Sequence, residues 1–126
     1  MKNKDTNIKE LTKAFALQII DVYRYLTNVA VPKEYVLSKQ VLRSGTSIGA
    51  NVREAINAQT KADFATKMNI ALKEASETEY WLELLFEAKF LSVEQYGYLM
   101  HDCKSINRIL NTIVKTTFDN IANDKK

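Results

Sequence analysis

A chain of 126 residues is long enough to bury one hydrophobic core and too short for two domains of ordinary size. It contains three glycines and one proline, and no segment alternates apolar and polar residues as a half-buried strand does, so the composition excludes β architectures and predicts an all-α fold. The formal net charge of +3 permits nucleic-acid binding without requiring it.

Residues that typically start and end helices predict four helices, over residues 6–29, 33–57, 61–90 and 93–119. Short connections between them make neighbouring helices antiparallel, which favours a single domain, residues 1–126, folded as an up-down-up-down antiparallel four-helix bundle. The polar ends of the chain are expected to be frayed.

Apolar residues recur every three or four positions in the first helix until Val31-Pro32 ends it. They are Ile8, Leu11, Phe15, Ile19, Val22, Leu26 and Val29. The second helix is expected to begin near Pro32, because proline suits the first turn of a helix.

The second helix contains two glycines in a segment whose other features are helical. Each mid-helix glycine costs about 1 kcal/mol relative to alanine. Gly45 and Gly49, with Ala50, therefore indicate a face on which another backbone comes unusually close, either within the bundle or in another subunit.

The third helix carries two apolar faces. The core stripe consists of Phe64, Met68, Ala71, Ala75, Leu82 and Phe86, whereas Ile70, Trp81 and Leu84 lie on a different side. The second face is either a set of scattered surface hydrophobes or a self-association interface anchored by Trp81, and we expect a homo-oligomer.

Residues 61–92 carry four lysines and six acidic side chains. We expect these carboxylates to pair with Arg43 and Arg53 of the second helix; the alternative is that the two arginines contact a ligand or a partner. In the fourth helix, Ser92 is the expected cap, and a heptad seam follows. The seam residues are Tyr96, Leu99, Cys103, Ile106, Leu110, Ile113 and Thr117.

A distributed motif runs through the second and third helices. It comprises Leu42-Arg43, Ser47-Ile48, Asn51-Val52, Glu54-Ala55, Asp63-Phe64, Ala71 and Glu74-Ala75, continuing through Glu77, Glu79 and Leu82. Over about residues 8–118 the chain resembles the four-helix-bundle proteins encoded in intervening sequences of 23S rRNA genes, a family that is similar to the accessory protein of diversity-generating retroelements.

The resemblance implies a bundle that assembles as a ring-like homopentamer. It also implies, for the retroelement branch, a basic surface that binds nucleic acid and a reverse transcriptase. This chain differs from that branch in being only weakly basic.

Two sets of basic residues have the spacing of one helix face. The first helix carries Lys2, Lys9, Lys13 and Arg24, and the fourth carries Lys104, Arg108 and Lys115. These stripes indicate either an interface for RNA or DNA, which a homo-oligomer would repeat, or the solvated backs of amphipathic helices.

No catalytic or metal site is predicted, and no cofactor is expected. The single histidine, His101, has no glutamate three residues before it, as a di-iron bundle would need, and Cys103 lies on the core seam. Without a leader or a membrane-length apolar run, we expect a cytoplasmic protein with no membrane partner.

The sequence therefore predicts a non-enzymatic homo-oligomer that binds RNA or DNA through basic helix faces. The alternative is a scaffold that docks a partner protein and binds no nucleic acid.

Overall fold

The computed structural model describes residues 4–125 and contains only helical secondary structure over that range. The helices span Lys4–Arg24 (α1), Leu37–Ile56 (α2), Lys61–Glu87 (α3) and Val93–Asp124 (α4), and α1 continues into a π-helical turn, Tyr25–Val29. Each helix packs against its neighbours in sequence, and α1 also contacts α4. The predicted all-α four-helix bundle is confirmed.

The core follows the predicted stripes. On α4 the buried seam residues are Leu99, Cys103, Ile106, Leu110 and Ile113. On α1 two positions depart from the prediction. Leu11 is 39% exposed because it borders the shallow seam with α4, and Val29 is 65% exposed in the π-helical turn that ends the helix.

The glycines of α2 pack against α1. A Cβ atom added at Gly45 would lie 2.9 Å from Cγ1 of Ile19, and one at Gly49 would lie 3.3 Å from Oγ1 of Thr12. The close approach that the sequence indicated is therefore made within one bundle. Ala50, grouped with the glycines from the sequence, is exposed and lies outside this contact.

The side chain of Glu34 caps the start of α2, which begins three residues later at Leu37. The Glu34 carboxylate accepts backbone hydrogen bonds from Val36, Leu37 and Ser38 at 3.1, 3.0 and 2.6 Å. It thereby satisfies N–H groups that have no partner inside the helix and faces the positive end of the helix dipole. The helix consequently begins at Leu37 and not near residue 33 as predicted.

The ends of α3 and α4 also have identifiable causes. The Thr60 hydroxyl caps α3, and Ser92 forms a capping box at the start of α4, which confirms the cap predicted there. α4 continues five residues beyond the predicted end at 119, and the Lys61 ammonium contacts the Asp124 carboxylate at 2.7 Å near its last turn.

α3 ends three residues before the prediction because Lys89 adopts a left-handed φ of 70°. Its N–H donates to the carbonyl of Phe86 at 2.9 Å, and the Phe90 N–H donates to the carbonyl of Leu85 at 2.8 Å. This Schellman pattern satisfies the last carbonyls of the helix.

Replacing Gly45 by alanine should lower the free energy of unfolding by about 1–3 kcal/mol, because a methyl group would overlap the buried, β-branched Ile19 side chain. Gly97→Ala is the matched control, because a Cβ at Gly97 meets nothing within 4 Å. It should raise stability by about 0.5–1 kcal/mol through helix propensity. Denaturant unfolding measures both variants, and a Gly45→Ala protein as stable as the parent would contradict the close-packing role.

Candidate nucleic-acid interface

The basic residues of α1 form the α1 stripe: Lys9, Lys13 and Arg24. All three are exposed, and none forms an ion pair within the part of the chain that the structure describes. Lys2, the fourth member predicted from the sequence, lies outside the described residues. The α1 stripe is therefore a short row of uncompensated cations.

The α1 stripe lies on the flank of α1 away from α4. Leu11, Ala14 and Gln18 line the seam with α4, and at about 100° per residue Lys9 and Lys13 fall on the other side of the buried face. The Gln18 amide donates to the Asp102 carboxylate across the seam at 3.0 Å. The two basic stripes of the bundle are thus separated and do not form a single patch.

The basic residues of α4 form the α4 stripe: Lys104, Arg108 and Lys115. All three are exposed. The Lys104 ammonium lies 3.8 Å from the Glu79 carboxylate, and the Arg108 guanidinium donates to the Ser105 hydroxyl at 3.2 Å. Among the described residues, Arg108 and Lys115 have no ion-pair partner.

A groove of about 470 Å³ runs beside the α4 stripe, between α3 and α4. We name it the α3–α4 groove; it is lined by Leu72, Ser76, Glu79, Lys104, Asn107, Arg108 and Asn111. The Asn107 amide donates to the Glu79 carboxylate within it. The spacing of basic residues on α4 identifies Lys104 and Arg108 but not the groove, because the other wall of the groove is formed by residues of α3.

The predicted self-association residues share one side of α3. Ile70 is exposed, whereas Trp81 and Leu84 are half-buried. The Trp81 indole N–H donates to the Glu77 carboxylate at 3.2 Å, and its ring lies 5.2 Å from that of Tyr80. The three residues thus share one side of α3, but Ile70 lies about 16 Å along the axis from Trp81, and Trp81 is partly packed against the bundle core.

The predicted pairing between α2 and the acidic α3 is made by one of two arginines. Arg43 lies 3.3 Å from the Glu74 carboxylate and also pairs with Glu77. Arg53 forms no ion pair within the described chain and lines a surface cleft at the α2–α3 connection. Arg43 is therefore a packing residue that joins two helices.

An exposed apolar cluster at the α1–α2 connection was not anticipated. Val31 is 97% exposed, and Val29, Tyr35 and Val36 are also largely exposed. The sequence pattern assigned Val29 to the core stripe because a periodic pattern does not show where a helix leaves the bundle.

Cys103 is a core residue, as predicted. Burial, and secondarily the negative charge of Glu79, raise the pKa of its thiol to about 12, and the S–H group lies 3.5 Å from the Ala75 carbonyl. The thiol is therefore protonated at neutral pH and is a poor nucleophile.

Burial raises the pKa of Tyr96, and the negative charges of Glu83, Glu87 and Glu79 raise it further. The Tyr96 ring stacks on that of Phe86, with the ring centres 4.2 Å apart.

The described residues contain no cluster of three or more side chains suited to holding a metal ion. None of the helices that they form has the length and apolar character that a membrane span requires.

These features define an antiparallel four-helix-bundle protein whose distinctive side chains form surface stripes and a polar groove. The sequence model of the 23S rRNA-intervening sequence protein family matches residues 4–112. The chain belongs to this family.

A solved structure supports the same assignment. The chain is 52% identical to a protein with unknown function from the S23 ribosomal protein family of Bacteroides thetaiotaomicron VPI-5482, with a TM-score of 0.85. The match covers 90% of this chain and 99% of that chain. No curated protein matches the chain.

The Cys103 thiol should react with a disulfide reagent such as Ellman's reagent only when the protein unfolds, because the thiolate is both buried and disfavoured. The release of thionitrobenzoate should be slow in buffer and complete in denaturant. Raising the pH from 7 to 9 should leave the native thiol largely protonated, since both values lie below its pKa of about 12. Rapid labelling of the folded protein at neutral pH would contradict this environment.

Proposed function

We propose that this protein is a non-enzymatic, nucleic-acid-binding bundle that acts as a homo-oligomer. The α4 stripe is the observation that carries the proposal. Arg108 and Lys115 are exposed, and neither forms an ion pair with a carboxylate among the described side chains, those of residues 7–125. Cations that the fold leaves uncompensated are available to phosphate groups, and binding through them releases counterions.

The contrast with other cations of the bundle supports this proposal. Arg43 is held by Glu74 and Glu77, and Lys67 lies 3.1 Å from the Glu54 carboxylate. These pairs join α2 to α3 and use positive charge for packing. In the α4 stripe, by contrast, only Lys104 lies near a carboxylate, that of Glu79, and Arg108 and Lys115 face solvent.

The family context favours RNA or DNA over other anions. The family is described by 23S rRNA intervening sequences, and the Bacteroides relative is assigned to a ribosomal protein family. The chain also resembles the accessory protein of diversity-generating retroelements, which binds nucleic acid through a basic surface. A cytoplasmic location, where both nucleic acids occur, is part of the proposal.

Reversing the charge of Arg108 and Lys115 to glutamate should weaken binding of a labelled RNA or DNA oligonucleotide by more than about tenfold at roughly 50 mM salt. The slope of log Kd against log salt should fall by about 0.7 for each lost single-strand phosphate contact. Fluorescence anisotropy measures both quantities.

The matched control is the double variant Lys33→Glu, Lys39→Glu, because both lysines are exposed and lie outside the stripes. Each double variant changes four charge units, from +3 to −1, so a difference between them reports position. No binding by the parent protein at micromolar concentration would remove the nucleic-acid proposal. Equal loss in the control would show that total charge, and not the α4 stripe, governs binding.

A partner-protein scaffold is the second candidate function. It is favoured by the exposed apolar cluster of Val29, Val31, Tyr35 and Val36, since contiguous exposed apolar surface often marks a protein interface. Capture of a protein partner that survives charge reversal of both stripes, together with no nucleic-acid binding, would select the scaffold.

Self-association is proposed to use the α3 face that contains Ile70, Trp81 and Leu84. An exposed isoleucine and a half-buried tryptophan on the same side of α3 supply apolar anchors at the surface. The ring-like pentamer is implied by family resemblance alone. An oligomer would repeat the α4 stripe and increase the number of phosphates contacted.

Ile70→Glu and Trp81→Glu should each shift the protein to a smaller mass in light scattering, because a buried carboxylate would disfavour the interface. Ile70→Glu is the cleaner variant, since Trp81 also packs against the core. Leu17→Glu, on the exposed back of α1, is the control and should leave the mass unchanged. Dissociation by Leu17→Glu with no effect of Ile70→Glu would locate the interface elsewhere.

A further inference from the structure

We infer that the α3–α4 groove receives bases of a single-stranded nucleic acid whose phosphates contact the α4 stripe. This inference rests on the proposed function and names the ligand class of the same surface. It adds a base-contacting site to a phosphate-contacting one.

The size and lining of the groove suit a polar ligand. Its volume of about 470 Å³ falls within the range of roughly 300–1,000 Å³ that is usual for small-molecule sites. A single apolar side chain, Leu72, lines it, whereas a helical protein partner would require a row of apolar anchors. The remaining lining consists of hydroxyl, amide and charged groups.

The one carboxylate that lines the groove, that of Glu79, is contacted by two other groove residues. The Asn107 amide donates to Glu79, and the Lys104 ammonium lies 3.8 Å away. Glu79 therefore offsets much of the Lys104 charge, while Arg108 keeps only its bond to the Ser105 hydroxyl. The Arg108 guanidinium at the groove edge is therefore placed to bind a phosphate, through a single hydrogen bond or in bidentate geometry.

Lys115 extends this phosphate track along α4. It follows Arg108 by seven residues, which is about 10.5 Å along the helix axis and nearly two full turns. Both side chains therefore leave α4 on the same side, and Asn111 lies between them. Asn111 is rotated by about 40–60° from these two side chains toward the groove that it lines, so a strand that contacts both cations would run alongside the Asn111 amide.

Asn111 supplies hydrogen-bonding capacity that the fold does not use. Its side-chain amide has no hydrogen-bond partner among the described side chains and backbone, although it lines the groove. An asparagine amide presents one donor and one acceptor side by side, which matches the edge of adenine. Asn107 contributes a further acceptor, because only its N–H group is occupied by Glu79.

Tyr80 supplies an exposed aromatic surface near one end of the groove. It follows Ser76, a lining residue, by one helical turn on α3 and does not itself line the groove; 54% of its surface is exposed. Its ring packs against that of Trp81, with the ring centres 5.2 Å apart. Exposed aromatic rings are the usual platform for unpaired bases, which is why a single strand and not a duplex is inferred.

The test uses neutral substitutions, which leave the phosphate-binding cations in place. A labelled oligoadenosine RNA of about 12 nucleotides and a duplex of equal length serve as probes. Asn111→Leu and Tyr80→Leu should each weaken single-strand binding by about tenfold, with an unchanged salt slope. Asn120→Leu and Tyr98→Leu are the matched controls, since both residues are exposed on the side of α4 away from the groove; they should change affinity by less than about twofold. Light scattering of Tyr80→Leu should show an unchanged mass, which separates loss of base contact from loss of self-association, because Tyr80 contacts Trp81.

The possible outcomes distinguish the groove, the single-strand ligand and the proposed nucleic-acid binding from one another. Loss of affinity in both groove variants but neither control supports the groove. Binding that is abolished by reversal of Arg108 and Lys115 yet unchanged by Asn111→Leu and Tyr80→Leu overturns the groove and leaves the proposed function standing. Duplex binding as tight as single-strand binding overturns the inferred ligand class. A parent protein that binds neither probe overturns the groove and the proposed function together.

Discussion

The close contact between α1 and α2 is the constraint on which the rest of the bundle depends. Gly45 and Gly49 bring the backbone of α2 to the side chains of Ile19 and Thr12, at a distance that leaves little room for a Cβ atom. Because protein interiors are densely packed, this spacing determines where the opposite side of α2 can lie. That side carries Ser44, whose buried hydroxyl is 2.8 Å from that of Thr78 on α3.

The position of α3 then decides how charge is distributed over the surface. Its carboxylates at Glu74 and Glu77 face Arg43 of α2, and Glu79 faces Asn107 and Lys104 of α4. α3 therefore lies between Arg43 of α2 and Lys104 of α4 and carries carboxylates that face both. Arg108 and Lys115 on α4 form no ion pair among the described side chains.

Much of this fold could be predicted because each helix carries its own periodic apolar face. The α4 seam and the Ser92 cap are local patterns, and the structure confirms them. The start of α2 could not be predicted in the same way, because Glu34 caps it with a side chain that is less usual there than serine or aspartate. Lys89 likewise ends α3 in a left-handed conformation that is more typical of glycine.

The sequence by itself determined the helical class, the buried face of each helix and the presence of two basic stripes, because these properties depend on residues three to seven positions apart. Only the tertiary structure decided that Arg43 pairs with carboxylates of α3 while Arg53 does not, and that Asn107 and Asn111 border a groove with Ser76. Ion pairs and grooves join residues from different helices. Their formation depends on how the packed helices are rotated and spaced, which no local pattern specifies.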